Sequence, residues 1–374
     1  LKRRVLLSAL VLLMSMSMVL AGCGSSDSTP TNNENQASQG NTSNVSNGND
    51  QNNLDKVQVY TTLFALTSFA EQIGGEYVEV HAVIPPGAEA HGYEPTMKEM
   101  VEMEKADLFI YNGGGFETWV ERLLGSINTS NMLIVESVAE MDLMEGGHAH
   151  GDEEGTHEED HGTEEGTHEE ETHEGDEHGD GEATHDEHGE DKHDAHDHGP
   201  FDPHVWLDPL LAMEQAKQVK DALIQVDPTH QGDYEKNYDA LVQEIEAIHH
   251  QYETTIATAM QKKFVVSHAA FGYLAERYGL EQVSIRGISP DHEPTPNELV
   301  EIVKTVKEAG IKAILVEEFV SKKSAEVLAN ETGATVMTIN TIGNITAEQA
   351  EKHVTYQDLM LENLEALKIA LEIK

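Results

Sequence analysis

The chain has 374 residues, 38% of them hydrophobic, with 69 acidic side chains against 23 Lys and Arg and a formal net charge of −46. A field of that sign argues against nucleic acid or an anionic substrate and makes a cation the consistent partner. The single cysteine, Cys23, excludes an internal disulfide and a thiolate metal site.

Lys2, Arg3 and Arg4 precede an apolar run from Val5 to Leu20, which ends in Leu20-Ala21-Gly22-Cys23. That order is expected of a secretory signal over residues 1–22, since the run is short for a bilayer span of about 20 residues. The ending resembles a bacterial lipobox, so Cys23 is expected to carry the lipid anchor; Leu1 is read as a non-AUG start. Residues 23–53 are rich in Ser, Asn, Gln and Thr without apolar periodicity. They predict a flexible tether with an r.m.s. reach of roughly 30 Å, holding a soluble domain just off a membrane.

The next block, residues 54–144, alternates strand and helix patterns. Strands are expected at Val57–Leu63, Val78–Ile84, Asp107–Tyr111 and Met132–Val135, and helices at Phe69–Ile73, Thr96–Lys105 and Phe116–Leu124. Apolar two-sided strands alternating with helices predict a parallel sheet covered on both faces.

Residues 145–200 break the pattern. Between Met144 and Phe201 stand 12 histidines, 23 carboxylates and one lysine, Lys192, and EEGTHEE occurs twice, at Glu153–Glu159 and Glu164–Glu170. Such a stretch is too polar to build a core, and disorder is expected. Its imidazoles and carboxylates suit divalent zinc, nickel or copper.

Residues 201–228 are expected to complete the first lobe, with a helix after Asp208-Pro209. A long helix follows over Gln231–Met260, within a linking segment 229–261. Tyr234, Tyr238, Leu241, Ile245, Ile248, Tyr252 and Ile256 recur every three or four residues, one apolar stripe on a rod of about 45 Å. Alternation returns over 262–374. Strands are expected at Phe264–Ser267, Gln282–Ile285, Ala313–Val316 and Thr335–Ile339, and helices at Ala270–Tyr278, Asn297–Ala309, Ser321–Glu331 and Ala347–Leu371. The predicted fold is α/β: two Rossmann-like lobes of parallel-sheet type joined by a long rigid helix, with metal in the cleft between them.

Three histidines outside the acidic tract stand in distinctive contexts: His91 in GAEAHGYEP, His204 in DPHVWLDP, and His268 in VSHAAFGYLAERYGL. His91 and His268 follow predicted strands, where ligands gather in open α/β sheets. Any one of them alone reads as a structural histidine; the three together, beside a metal-hungry tract, read as a ligand set.

Those three motifs and SPDHEPTPNEL, in that order, resemble the metal-binding solute receptors of bacterial ABC importers, and within them the zinc receptors. The resemblance covers Val57 to Lys374, and an acidic His-rich insertion before DPHxWLDP is typical of the zinc members. It implies that His91, His204 and His268 hold one Zn²⁺ in the interlobe cleft. It also implies that a loaded monomer delivers the ion to a membrane permease and its ATPase, with no chemistry on a substrate. Manganese and iron relatives carry a carboxylate where His268 stands, in keeping with the oxygen preference of manganese.

One departure stands out. Many relatives supply a fourth, carboxylate ligand near Thr341-Ile342-Gly343-Asn344, but this chain has Gly343 there and no acid between Glu331 and Glu348. Water, Glu317, Glu318 or a histidine of the tract are the alternatives. Competing readings are a receptor for Mn²⁺ or Ni²⁺, a zinc hydrolase with Glu89 or His292 as base, a metal store, and a surface adhesin. No HExxH or G-x-S-x-G supports the hydrolase.

Overall fold

A computed structural model describes residues 56–146, 201–291 and 293–374. The signal segment, Cys23, the tether, the His-rich tract and His292 lie outside the described residues. Among the described residues, eight strands form two four-stranded parallel sheets, accompanied by ten α-helices. The first sheet contains β1 (Val57–Thr61), β2 (Val78–Ala82), β3 (Leu108–Tyr111) and β4 (Leu133–Glu136), in the order β2-β1-β3-β4. The second contains β5 (Lys263–Val266), β6 (Glu281–Ser284), β7 (Ala313–Val316) and β8 (Thr335–Thr338), in the matching order β6-β5-β7-β8. The α/β class and parallel sheets expected from the alternation are what the chain forms.

Helices α1 (Phe64–Gly74), α2 (Met97–Met103), α3 (Val120–Leu124) and α4 (Pro209–Val226) accompany the first sheet. Helices α6 (Gly272–Tyr278), α7 (Pro296–Ala309) and α8 (Lys323–Thr332) accompany the second. The long helix α5 (Gln231–Ile256) packs on α1 and α4 on one side and α6 on the other. Six members of its predicted stripe are fully buried and Tyr238 is half-buried. Each large apolar side chain so buried contributes about 1.5–3 kcal/mol, which is why this otherwise polar helix forms. The largest core runs without interruption from Val59 and Phe69 through Ile245 and Tyr252 to Phe264 and Leu315, so the two sheets share one apolar spine.

Four expectations need correction. The first helix opens at Phe64, not Phe69, because the Phe64 N–H finds a tertiary acceptor, the Gly343 carbonyl at 2.9 Å, that no local pattern announces. The third begins at Val120, not Phe116. The Glu117 carboxylate accepts from the backbone N–H groups of Asn112 (2.8 Å) and Gly113 (2.9 Å) and from the Thr62 hydroxyl, and so replaces a helical turn with a pinned loop. The long helix ends at Ile256, where Thr258 and Ala259 donate to carbonyls three residues back and tighten the chain out of the α-helix. The expected C-terminal helix is two, α9 (Ala347–Glu351) and α10 (Tyr356–Ala370). His353 breaks it with φ +52°, and Thr355 restarts it through a reciprocal capping box with Asp358. The restarted helix packs on α1, α5 and β7, and the Tyr356 hydroxyl donates to the Trp206 carbonyl at 2.7 Å.

Candidate metal centre

Parallel sheets leave their carboxyl edges to loops, and three such segments converge here. His91 sits in the loop after β2, which is tied to the loop after β8. Asn344 donates to the Pro85 and Ala88 carbonyls at 2.8 and 2.9 Å, and the Gly87 N–H donates to the Ile345 carbonyl at 2.8 Å. His204 precedes the single turn Val205–Leu207 that leads into α4, and His268 follows the end of β5. All three are buried, His204 and His268 completely.

The structure brings the three together. Nε2 of His91 lies 3.0 Å from Nε2 of His204, and all three rings have a ligand atom within 4.8 Å of the others. Nitrogens about 2.0–2.1 Å from a tetrahedral zinc stand roughly 3.3 Å apart, close to the 3.0 Å between His91 and His204. Both ring nitrogens of His268 lack an aligned hydrogen bond, an uncommon state for a fully buried imidazole and one that a cation would relieve.

Behind each ring stands a carboxylate. Glu89 Oε1 is 2.8 Å from Nδ1 of His91, and Asp202 Oδ1 is 2.7 Å from Nδ1 of His204. Glu317 Oε1 is 3.2 Å from Nδ1 of His268, in ion-pair range but out of hydrogen-bond alignment. A carboxylate on Nδ1 fixes the proton there and leaves Nε2 as the ligand atom. Burial opposes the charge on Glu89, yet its bonds to His91 and to the Gly92 N–H hold it at about 2. Glu317 is likewise kept below the ordinary carboxylate range, against its burial, by His268 and by the Ser267 hydroxyl. Burial pulls His91 down and His204 down to about 4, so both rings are neutral at pH 7 and ready to donate a lone pair.

Phe116 (4.5 Å from His91, centroid to centroid) and Trp206 (5.3 Å from His204) wall the site. The Trp206 indole donates to the Thr341 carbonyl at 2.6 Å, which fixes it against the β8 loop. The cavity, about 10 Å³, is lined by His91, His268, Glu317, Gly343 and the two aromatics among others, and has room for one ion or water. Gly343 lines this cavity, and a Cβ added there would meet Ala90 at an ordinary 3.5 Å. Of the two glutamates weighed from the sequence, Glu317 faces the centre. Glu318 is exposed and lines a separate hollow with Asn340 and Lys352.

Sequence reasoning gave Asp202 no role, although it quoted the residue within DPHVWLDP. A signal was present: Glu89-Ala90-His91 and Asp202-Pro203-His204 share an acid-x-His spacing that lets a short side chain reach the following ring. Phe116 carried no such signal, since its place depends on the Glu117-pinned loop. A further feature concerns access. Glu145 and Phe201 form an antiparallel bridge, and the Asp202 N–H donates to the Met144 carbonyl at 2.9 Å. The two ends of the His-rich segment are therefore fastened side by side, next to the residue that holds His204.

Two parallel-sheet lobes sharing a buried three-imidazole centre define a class of interlobe metal-binding receptors. Residues 59–370 match the family described as zinc-uptake complex component A, periplasmic, and the chain belongs to that family. Over 320 residues it is 36% identical to the high-affinity zinc uptake system protein ZnuA of Bacillus subtilis, covering 86% of this chain and 89% of that one. It is 33% identical over 313 residues to the zinc-binding lipoprotein AdcA of Streptococcus pneumoniae, covering 84% of this chain but only 55% of that longer protein. Among solved structures, the metal-dependent lipoprotein YcdH of Bacillus subtilis superposes with a TM-score of 0.64 at 32% identity, over 84% of this chain and all of that one. The Zn(II)-bound ZnuA-like domain of Streptococcus pneumoniae AdcA gives 0.63 at 29%, over 85% and 99%. The laminin-binding protein of Streptococcus agalactiae, described as a bifunctional adhesin and metal transporter, gives 0.66 at 28%, over 84% and 99%.

Proposed function

We propose that this chain is an extracytoplasmic receptor that captures Zn²⁺ and delivers it to the permease of an ABC importer. Three buried imidazoles, each with Nδ1 against a carboxylate, carry the reading. His91, His204 and His268 are the protein ligands. Water takes the fourth place, because Gly343 offers no side chain and Glu317 is engaged by Ser267 and lies beside His268 Nδ1. Three nitrogen donors from the protein suit zinc and disfavour manganese. A cavity of one-ion size accommodates cargo, not an organic substrate, and supports a receptor over a hydrolase.

In this reading Cys23 anchors the chain in the membrane, 23–53 is the tether, and 54–144 with 201–228 forms the first lobe. Residues 229–261 link it to the second lobe at 262–374, and 145–200 collects zinc loosely near the centre. The test is a chelator-competition titration of the chain with zinc and manganese, with and without Gly147–His198. One tight zinc site surviving the deletion, with manganese far weaker, is expected. Loss of all tight binding would make the tract the binding element and remove the centre from the mechanism.

A further inference from the structure

Helix α6 of the second lobe reaches into the first. The Tyr273 ring is buried in a small apolar cluster with Val138, Leu143 and Val205, and among the described residues it is the cluster's one member from the second lobe. Its hydroxyl both donates and accepts. It donates to the Asp202 carbonyl at 2.7 Å and accepts from the Met144 N–H at 2.9 Å. It thus joins the two sides of the His-rich segment where the Asp202 N–H already meets the Met144 carbonyl. One residue earlier, Gly272 lies so close to Asp202 that a Cβ there would stand 2.8 Å from Oδ2. Farther along the helix, Arg277 donates to Asp208 Oδ2 at 2.7 Å, and Oδ1 of Asp208 accepts from the Leu210 N–H and caps α4.

Two of these contacts converge on Asp202. Its Oδ1 accepts from the His204 N–H at 3.0 Å and lies 2.7 Å from His204 Nδ1, so it holds both the backbone and the ring of that residue. Helix α6 in turn holds Asp202, by its carbonyl through Tyr273 and by the space Gly272 leaves for its carboxylate. His268 stands four residues ahead of Gly272, and the Ala270 N–H donates to the His268 carbonyl at 2.9 Å, which keeps the connection short. Residues 268–273 therefore carry one imidazole of the centre and fix the mounting of another that belongs to the opposite lobe. Cohesion of the lobes does not need the hydroxyl. The apolar spine already joins them, and a phenyl ring would fill the cluster as well.

We propose that Gly272 and Tyr273 are positioning residues for zinc: acting through Asp202, they set how His204 of the first lobe faces His268 of the second. Apolar contact between the lobes is non-directional and leaves the rings free to slide past one another. A hydroxyl bonded to two fixed backbone groups, with a close approach beside it, removes that freedom. The centre is then in register before the ion arrives, and binding does not have to supply the ordering. The inference rests on the reading of His204 and His268 as zinc ligands and names the residues that hold them opposite each other.

The test reads zinc affinity by chelator competition, beside the melting temperature, in the full chain. Tyr273→Phe keeps the ring and removes the hydroxyl, and is expected to weaken zinc binding by about tenfold. Tyr252→Phe is the control. It removes the same kind of bond, to the Met360 carbonyl at 2.6 Å within the core, and is expected to lower the melting temperature similarly but leave zinc affinity within about twofold. The visible absorption of bound Co²⁺, which follows ligand geometry, is expected to change in the first variant and not in the second. With Asp202→Asn already in place, Tyr273→Phe is expected to cost less than about threefold more, because both changes loosen the same ring. Unchanged zinc affinity in Tyr273→Phe would overturn the proposal. An equal loss in Tyr252→Phe would do so too, by making the hydroxyl a support of the fold alone, and so would an undiminished loss beside Asp202→Asn. If Tyr273→Phe does not fold, Gly272→Ala carries the same test with the hydroxyl bonds in place. Its Cβ displaces the Asp202 carboxylate, with about a tenfold loss expected and no loss counting against the proposal. Failure of the receptor reading shows separately, as absence of tight zinc binding by the unmodified chain.

Discussion

Among the described residues two sets of side chains bring three ligand atoms within 4.8 Å: His91, His204 and His268 at the lobe junction, and His249, His250 and Glu253 on α5. Residue type hardly separates them; surroundings do. The first set is buried, and each of its rings meets its own carboxylate. In the second, only His249 is held, by the Tyr278 hydroxyl at 3.0 Å. His250 and Glu253 are 3.5 Å apart and 71% and 62% exposed. An exposed set has to immobilise its side chains at the moment of binding, at a cost of up to about 1.5–2 kcal/mol for a long one such as Glu. The buried set was ordered when the chain folded. Pre-organisation and dry surroundings therefore favour the buried set over the exposed one as a tight metal site, although both offer the same number of ligand atoms.

The comparison breaks most readily at His268. His268→Ala is expected to weaken tight zinc binding by about 100-fold or more while the fold survives, and unchanged affinity in chelator competition would remove it from the ligand set. The carboxylates sharpen the contrast. Asp202→Asn and Glu317→Gln are each expected to cost about 10- to 100-fold in zinc affinity, read by calorimetry, although neither touches the ion. Gly343→Asp adds an oxygen at the cavity wall with room for its Cβ, and is expected to raise manganese affinity relative to zinc by about tenfold in paired titrations.

Acid supplies a test of burial itself. With His204 near 4 in the folded chain and about 6.5 when unfolded, the unfolded state binds the proton more readily between those values. The metal-free protein is therefore expected to keep its stability above pH 6.5 and lose it as pH falls through about 4, followed by thermal melting. The smallest effect belongs to the exposed set, where His250→Ala is expected to change tight zinc affinity by less than about twofold. A larger loss would show that α5 contributes to the centre.

The sequence disclosed the alternating architecture because buried parallel strands and an amphipathic rod leave plain periodic patterns, as in Ala313–Val316 and the stripe on α5. It singled out His91, His204 and His268 as a candidate set because their motifs are short and distinctive, and the fold brings the three rings together. It did not disclose what depends on contacts far apart in the chain. The early start of α1 rests on Gly343, and the position of Phe116 rests on Glu117 reaching Thr62 across the sheet. Ile342, a buried β-branched residue at φ +57°, is another such case. Its strained backbone is held by Asn340 accepting from its N–H at 2.6 Å, and no local preference foretells it.

The bridge between Glu145 and Phe201 has an evolutionary consequence. Once two ends of a segment are fastened together, the body of a protein is nearly indifferent to how much chain passes between them. Doubling such a length costs only about 0.6 kcal/mol in closure entropy. The stretch between these residues can lengthen, shorten, duplicate a block such as EEGTHEE, or be exchanged for another cassette without disturbing the packing that holds His204.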